Sequence, residues 1–339
     1  MTDPASIHSI AFIGTRGHTN TILRELASRD DLKMVGIAHG GSGDACAHLA
    51  DWAHRHGHAP TDFDDDWRRM LDRAAPDVVV IAGPLELHAD MTIAAVERGI
   101  HVIVEKPAAL TRDQFDRLAR VCKAHPRVQV AGMMFTRYSP GFYTARQLIA
   151  SGALGGVRLI ESRKTYKLGN RPSWVRRRET YGGSIAWIGS HAIDWTDFLA
   201  GLPMRRVYAS QSSRHNAGFG TMETSALIHL TLDGATFASV AIDVFRPQSA
   251  ATHGDDWARV VGTAGVLEIR PMSVHLLTES DTAPVARQVA CDRMPLDDFV
   301  RATRGERPGL IGTEDTLRLA DACLRAVRSA DEGRVIDFD

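Results

Sequence analysis

Two short stretches of this 339-residue chain combine glycines, cationic side chains and imidazole in patterns suited to binding phosphates and moving protons. In "IGTRGHTN", Ile13 to Asn20, Gly14 is followed three positions later by Gly17, with Thr15, Arg16 and His18 around them. A glycine turn between a strand and a helix lets backbone N–H groups and the positive end of the helix meet a pyrophosphate. The full form of that loop carries a third glycine; here Arg16 holds the close-approach position and Thr19 the helix-packing position. Because Gly14 supplies the turn, Arg16 can point its side chain away and still offer its N–H to the phosphates. In "HVIVEKPAAL", an apolar run ends on Glu105 and Lys106 and is closed by Pro107. Ligands of open parallel sheets sit beyond the carboxyl ends of the strands, so this lysine would bring an ammonium to the mouth of the crevice.

The adenosine end of a dinucleotide is usually read by an acidic residue after the second strand. That position is His39, followed by Gly40, Gly41 and Ser42. The missing acid removes a charge that would repel a 2′-phosphate, and the Arg16 guanidinium could reach one, which favours NADP over NAD. A metal is not expected. His54, His56 and His58 in "HRHGH" do not converge on one helical face and lack completing carboxylates or cysteines. Cys46, Cys122, Cys291 and Cys323 form no CxxC pair and read as small core residues in a reducing compartment.

Residues 1–130 must position these groups. The runs "HSIAFI", "LKMVGIA", "DVVVIAG", "HVIVEK" and "VQVAGMM" alternate with helical patterns such as "TILRELASR" and "TRDQFDRLARVCKA". β-branched runs separated by helices predict a parallel sheet buried on both faces, hence an α/β doubly wound (Rossmann) domain. After Ser139 a helix, "GFYTARQLIASGA", leads into "VRLIESRKTYKL", "TSALIHLTL", "ATFASVAIDVFR" and "ARVVGTAGVLEIR" with few helices between. Strands without crossover helices pair antiparallel, so residues 131–339 are expected to form an α+β domain with a large open, mainly antiparallel sheet. A closing helix, "TEDTLRLADACLRAVRSADEG", with Gly333 as its cap, is expected to pack back on the first domain.

Composition narrows the partners. Forty basic residues against 41 acidic ones leave no electrostatic footprint for nucleic acid. No apolar run reaches the roughly 18 residues that span a bilayer, and "MTDPASIHS" lacks the basic start and apolar stretch of a secretory signal, so a cytoplasmic protein is expected.

The motifs together make the chain resemble the glucose-fructose oxidoreductase / inositol dehydrogenase family, Gfo/Idh/MocA. The resemblance rests on "IGTRGH", "VVVIAGPLELH", "EKPAALT", "MMFTRYSPGF", "GGSIAWIGSHAIDW", "RVVGTAGVLEI" and "SADEGRVIDF". It implies an NAD(P)-dependent enzyme that interconverts a secondary alcohol and a ketone on a sugar, cyclitol or related polyhydroxylated small molecule. By position, Lys106 would bind the reacting oxygen and His191 would move its proton, while Gly83, Pro84, Leu87, His88, Glu105 and Arg137 would line the nucleotide. It further implies a homodimer or homotetramer assembled through the open sheet of the second domain. Hydride transfer from an alcohol needs a base near neutral pKa and a cation beside the oxygen, tasks that histidine and lysine suit.

The family pattern breaks one helical turn before His191, where Trp187 replaces an aspartate that would orient the ring. Indole is a donor without an acceptor. Trp187 is instead expected to stack on substrate, with Tyr166, Trp174 and Tyr181 in the same wall or in the core. Asp194 is a partial substitute or a structural residue. Arg171, Arg176, Arg177 and Arg178 form either a solvated face or a loop that meets an anionic or heavily hydroxylated substrate, with Asp243, Arg246 and His253 as sheet contributors. Two alternatives stay open: a glycosidase-like enzyme that oxidises its substrate transiently with tightly bound cofactor, and a non-catalytic dinucleotide-binding regulator.

Overall fold

The computed structural model describes residues 7–41, 46–60 and 62–338. Its contacts divide the chain into two compact units, Met1–Met133 with Arg293–Ala320, and Met134–Asp292 with Asp321–Asp339.

The first unit alternates strand and helix. Its elements are β1 (Ser9–Gly14), α1 (Thr19–Leu26), β2 (Lys33–Ala38), α2 (Ala47–Arg55), β3 (Asp62–Asp64) and α3 (Trp67–Ala74), then β4 (Val78–Ala82), α4 (His88–Glu97), β5 (His101–Val104), α5 (Arg112–Ala124) and β6 (Val130–Gly132). Among the described residues these strands form one six-stranded sheet in the order β3-β2-β1-β4-β5-β6, every pair parallel. This is the doubly wound arrangement predicted from the apolar runs. Ile10 to Ile13 and Val78 to Ile81 are buried on both sheet faces, which is why those runs do not alternate with polar residues. Asp66 and Thr111 cap α3 and α5 by accepting the N–H groups of Arg68 (2.9 Å) and Gln114 (3.2 Å).

The second unit holds α6 (Pro140–Ala150), β7 (Val157–Tyr166), α7 (Arg178–Tyr181), α8 (Ser190–Ala200), β8 (Met204–Ser212), β9 (Ser225–Leu232), β10 (Thr236–Asp243), β11 (Gly254–Gly262), β12 (Gly265–Arg270), β13 (Ser273–Thr278) and β14 (Val285–Arg287). Together with β15 (Ile336–Asp337) the described strands form a nine-stranded sheet, ordered β14-β13-β12-β11-β7-β10-β9-β8-β15. Only the β7–β10 pair in it is parallel. Helices α6 and α8 cover one face, where Phe142 and Trp195 meet at 4.9 Å. The opposite face exposes Leu159, Tyr208, Leu227 and Phe237.

Several elements differ from the sequence reading, the short β3, β13 and β14 among them. "ARVVGTAGVLEIR" is two strands, because Thr263 and Ala264 turn the chain between Gly262 and Gly265 and pair Val261 with Val266. Strand β8, "MRRVYASQS", carries too many arginines to show a buried face, yet Val207 and Ala209 point inward between them. After β14 the chain returns to the first unit as α9 (Pro295–Thr303) and the start of α10 (Thr313–Glu332). There Thr313 and Thr316 accept the N–H groups of Val130 (2.9 Å) and Gly132 (2.8 Å), satisfying the edge strand β6. Gly333, at a φ of 65°, ends α10 with its N–H on Ser329 O (2.8 Å), the cap expected there. No described helix is long and apolar enough to cross a membrane.

Candidate active site

In the first unit, three turns at the carboxyl ends of strands approach each other more closely than side chains permit. Gly14, at a φ of 75°, has no room for a Cβ, which would lie 2.6 Å from Ala82 O and from Gly83. A Cβ on Gly83 would lie 2.9 Å from the Gly40 backbone, and one on Gly41 the same distance from Pro84, with Leu87 beyond it. Such bare backbone beside the start of α1 is what a dinucleotide pyrophosphate requires, so these residues fit the cofactor. Thr15 lies half-buried in the first turn. One expectation is corrected: the Arg16 N–H is directed away from any phosphate, because it donates to Ala82 O (2.8 Å) across the β1–β4 ladder. Ser42 lies outside the described residues.

The glycine loop and the Glu105–Lys106 element form one assembly. Glu105 is 3% exposed and accepts the His18 N–H at 3.1 Å and the His18 Nδ1 at 2.9 Å, while Lys106 Nζ stands 3.7 Å from its other oxygen. Burial pushes the Glu105 carboxyl up, but His18 and Lys106 outweigh it and hold the group below the usual range. Gly17 permits this, since a Cβ there would fall 2.5 Å from the Glu105 carboxyl carbon. His88 closes the assembly, with one ring nitrogen 3.0 Å from Pro107 O and the other 3.1 Å from Gly83 O. Burial lowers its pKa against those carbonyls and Glu105, and a neutral ring donates to one of the two oxygens.

At the end of β2, His39 packs edge-on to Phe63 (5.7 Å), and its Nε2 lies 3.6 Å from Asp65. An acid thus stands beside the end of β2, contributed by the residue after β3. Its only sequence signal is the run Asp64–Asp66 after Phe63. The "HRHGH" histidines have structural roles: His56 stacks on Trp52 (4.2 Å), and His58 accepts the Met34 N–H (3.2 Å).

In the second unit, a π-helical turn over Ile185–Gly189 leads into α8, a local widening often found at functional sites. His191 sits in the first turn of α8 and is 4% exposed. Arg137 and Asp194 form a buried bidentate pair, with Nη2 at 2.7 Å and Nε at 3.1 Å, and Phe198 beneath the guanidinium at 5.0 Å.

The aromatic residues singled out in the sequence do come together. Trp187 meets Trp174 edge-on at 5.3 Å and Tyr181 at 6.1 Å, and Arg171 lies 5.3 Å from the Trp187 ring and 5.8 Å from Tyr166. His253 stacks on Tyr166 at 4.8 Å. Tyr166, Trp174 and Trp187 are half-buried, whereas Tyr181 is fully buried and its hydroxyl donates a hydrogen bond to Glu223. Tyr181 thus backs the wall from the core.

The arginine run divides. Arg178 pairs with Glu223 and with Asp331 (2.7 Å), Arg176 bonds Gly218 O (2.7 Å), and Arg177 is exposed. Asp243 accepts from Thr165 (2.5 Å) and Arg246 binds Thr252 (2.8 Å).

Comparison with known proteins fits both units. Residues 8–132 match the model of the oxidoreductase family with an NAD-binding Rossmann fold, and residues 142–268 match the GFO/IDH/MocA C-terminal domain. A Mediterraneibacter gnavus 2,7-anhydro-N-acetylneuraminate hydratase is 24% identical over 76% of this chain and 66% of its own length. A Bacillus subtilis scyllo-inositol 2-dehydrogenase (NADP+) is 30% identical over 47% of this chain and 43% of its own, so these alignments span less than two thirds of either relative. A solved structure from Thermotoga maritima, named as an oxidoreductase, is 37% identical over 97% of this chain and all of its own, with a TM-score of 0.91. Matched through both units in sequence order, the chain belongs to the GFO/IDH/MocA family of nicotinamide-dependent oxidoreductases.

Proposed function

We propose that the protein is a nicotinamide-dependent dehydrogenase or reductase that interconverts a secondary alcohol and a ketone on a sugar, cyclitol or related polyhydroxylated small molecule. The observation that carries this reading is the buried Glu105, bonded at once to the glycine loop through His18 and to the Lys106 ammonium. When bound, the nicotinamide supplies the hydride acceptor or donor. Lys106 holds the reacting oxygen and stabilises charge that develops on it, and His191 accepts or returns its proton. Tyr166, Trp174 and Trp187 offer ring faces to the apolar side of a sugar ring.

NADP is the favoured dinucleotide in this reading. Arg16 and His39 are donors suited to a 2′-phosphate, while Asp65 beside His39 limits the preference. The exposed Leu159, Tyr208, Leu227 and Phe237 face of the nine-stranded sheet supports assembly into a dimer or tetramer.

A second reading, transient oxidation with tightly held cofactor, is favoured by Trp187 at the position where the family places an aspartate and by the similarity to a hydratase. One experiment tests both. Sugars and cyclitols are screened with NAD, NADP and their reduced forms, following nicotinamide absorbance, alongside dialysis of the purified protein. Net turnover that falls about 10²- to 10⁴-fold in His191→Ala and Lys106→Ala supports the dehydrogenase. Cofactor that survives dialysis without net turnover supports the second reading, and failure to bind any nicotinamide removes both.

A further inference from the structure

Arg171 lacks the partner that a desolvated guanidinium normally has. Its Nη2 donates to Lys167 O (2.7 Å), Nε is buried without an acceptor, and its guanidinium carbon lies 5.8 Å from the Tyr166 ring and 5.3 Å from the Trp187 ring. No carboxylate among the described residues stands within ion-pair distance of it. Every other half-buried arginine nearby has one: Arg178 has Glu223 and Asp331, and Arg163 has Asp255.

The surroundings add positive charge. Lys167 Nζ is held by the carbonyls of Gln248 (2.8 Å) and Ala250 and likewise meets no carboxylate. Lys164 is neutralised by Asp256 at 2.7 Å. Burial and then the charges of Arg171, Lys167 and Lys164 push the His253 pKa down, so these cations act on one neighbourhood. Leaving a half-buried cation unpaired is unfavourable unless a ligand completes it, and a guanidinium held beside two rings presents a planar fork that suits a carboxylate.

We propose that Arg171, set beside Tyr166 and Trp187, recognises a carboxylate on the substrate, so that the natural substrate is a sugar acid of the uronic or ulosonic class. This rests on the reading of the second unit's aromatic wall as a substrate surface. The rings hold the sugar face, and the free guanidinium edge fixes which end of the sugar enters.

The test is binding by calorimetry to the full-length protein, with and without NADP, using three kinds of probe. D-glucuronate, D-galacturonate and N-acetylneuraminate are the acids, D-glucose and D-galactose the neutral parents, and D-glucose 6-phosphate the phosphate control. At least one acid binds about thirtyfold or more tightly than the neutral sugars, Arg171→Gln brings that ratio close to one, and Arg177→Gln on the same run preserves it. Melting temperatures of the variants identify any that do not fold, and Arg171→Lys then gives the same reading by partial loss of the ratio. Equal or tighter binding of neutral sugars, tighter binding of the phosphate, a preference that survives Arg171→Gln, or failure of every acid to bind overturns the proposal. Cofactor fluorescence on the same samples keeps the two readings apart. Cofactor binding without acid selectivity overturns this inference alone, while Arg171-dependent acid selectivity supports it even if no nicotinamide binds.

Discussion

The Glu105 carboxyl group fills the space that a side chain on Gly17 would need, its carbon 2.5 Å from where a Cβ would stand. Two motifs about ninety positions apart are thus a single contact, and the second glycine of the loop makes room for the lysine element.

Gly17→Ala therefore strikes twice, through a φ of 65° that non-glycine residues avoid and through collision with Glu105. A loss of about 1–2 kcal/mol in stability is expected, together with a larger loss of nicotinamide affinity. Thermal melts with and without cofactor check this, and an unchanged dissociation constant contradicts it.

Arg137 and Asp194 are 3% and 2% exposed at their side chains, so removing one strands the other's charge. Arg137→Ala should cost about 3–5 kcal/mol, and Arg137→Met combined with Asp194→Leu should recover most of that. Denaturant unfolding measures both, and a mild single variant would show that the pair is not structurally important.

Glu25 gives a pH signature. Burial pushes its carboxyl from 4.5 up to about 7, against the N–H groups of Asp297 and Leu296 that it accepts and against Arg29, with the Asp297 charge adding to the rise. The folded state thus holds a proton that the unfolded chain has lost between pH 4.5 and 7. Stability falls as pH rises through that window and is level above it, by at most about 3 kcal/mol from this group. Glu25→Gln should flatten the melting temperature between those limits; a slope identical to the parent protein's refutes the assignment.

Asp65→Asn removes the exposed carboxylate beside His39. The ratio of NADP to NAD affinity should rise by about threefold in low salt and by less as ions screen the charge. Arg16→Gln should move the ratio the other way, and no change in either variant removes both residues from cofactor discrimination.

Strands β1, β2, β4, β5 and β6 of the first unit were legible because each lies in an apolar run written in consecutive positions, whereas β3 is Asp-Phe-Asp and carries no such signal. Helices α1 to α5 and the glycine turns follow from equally local patterns, but α9 joins this unit only through the tertiary structure. The hairpin of β11 and β12 was hidden, since Thr263 and Ala264 interrupt the apolar texture too briefly to mark a turn. The aromatic wall was half legible: Trp174, Trp187 and Tyr166 were recognised as related, but only their packing separates the half-buried rings from Tyr181, which belongs to the core.

By itself the sequence determined the two kinds of sheet, the loop that suits a dinucleotide, and the residue types available for proton transfer, because these depend on spacing within a few positions. Packing in three dimensions set the rest: Glu105 joins the glycine loop to Lys106, Asp65 stands beside His39, and Arg171 lies near two rings with no carboxylate of the described residues in ion-pair reach. Each of these is a contact between groups brought together by strand order and helix packing, and a side chain's charge and partners are set by its neighbours in space.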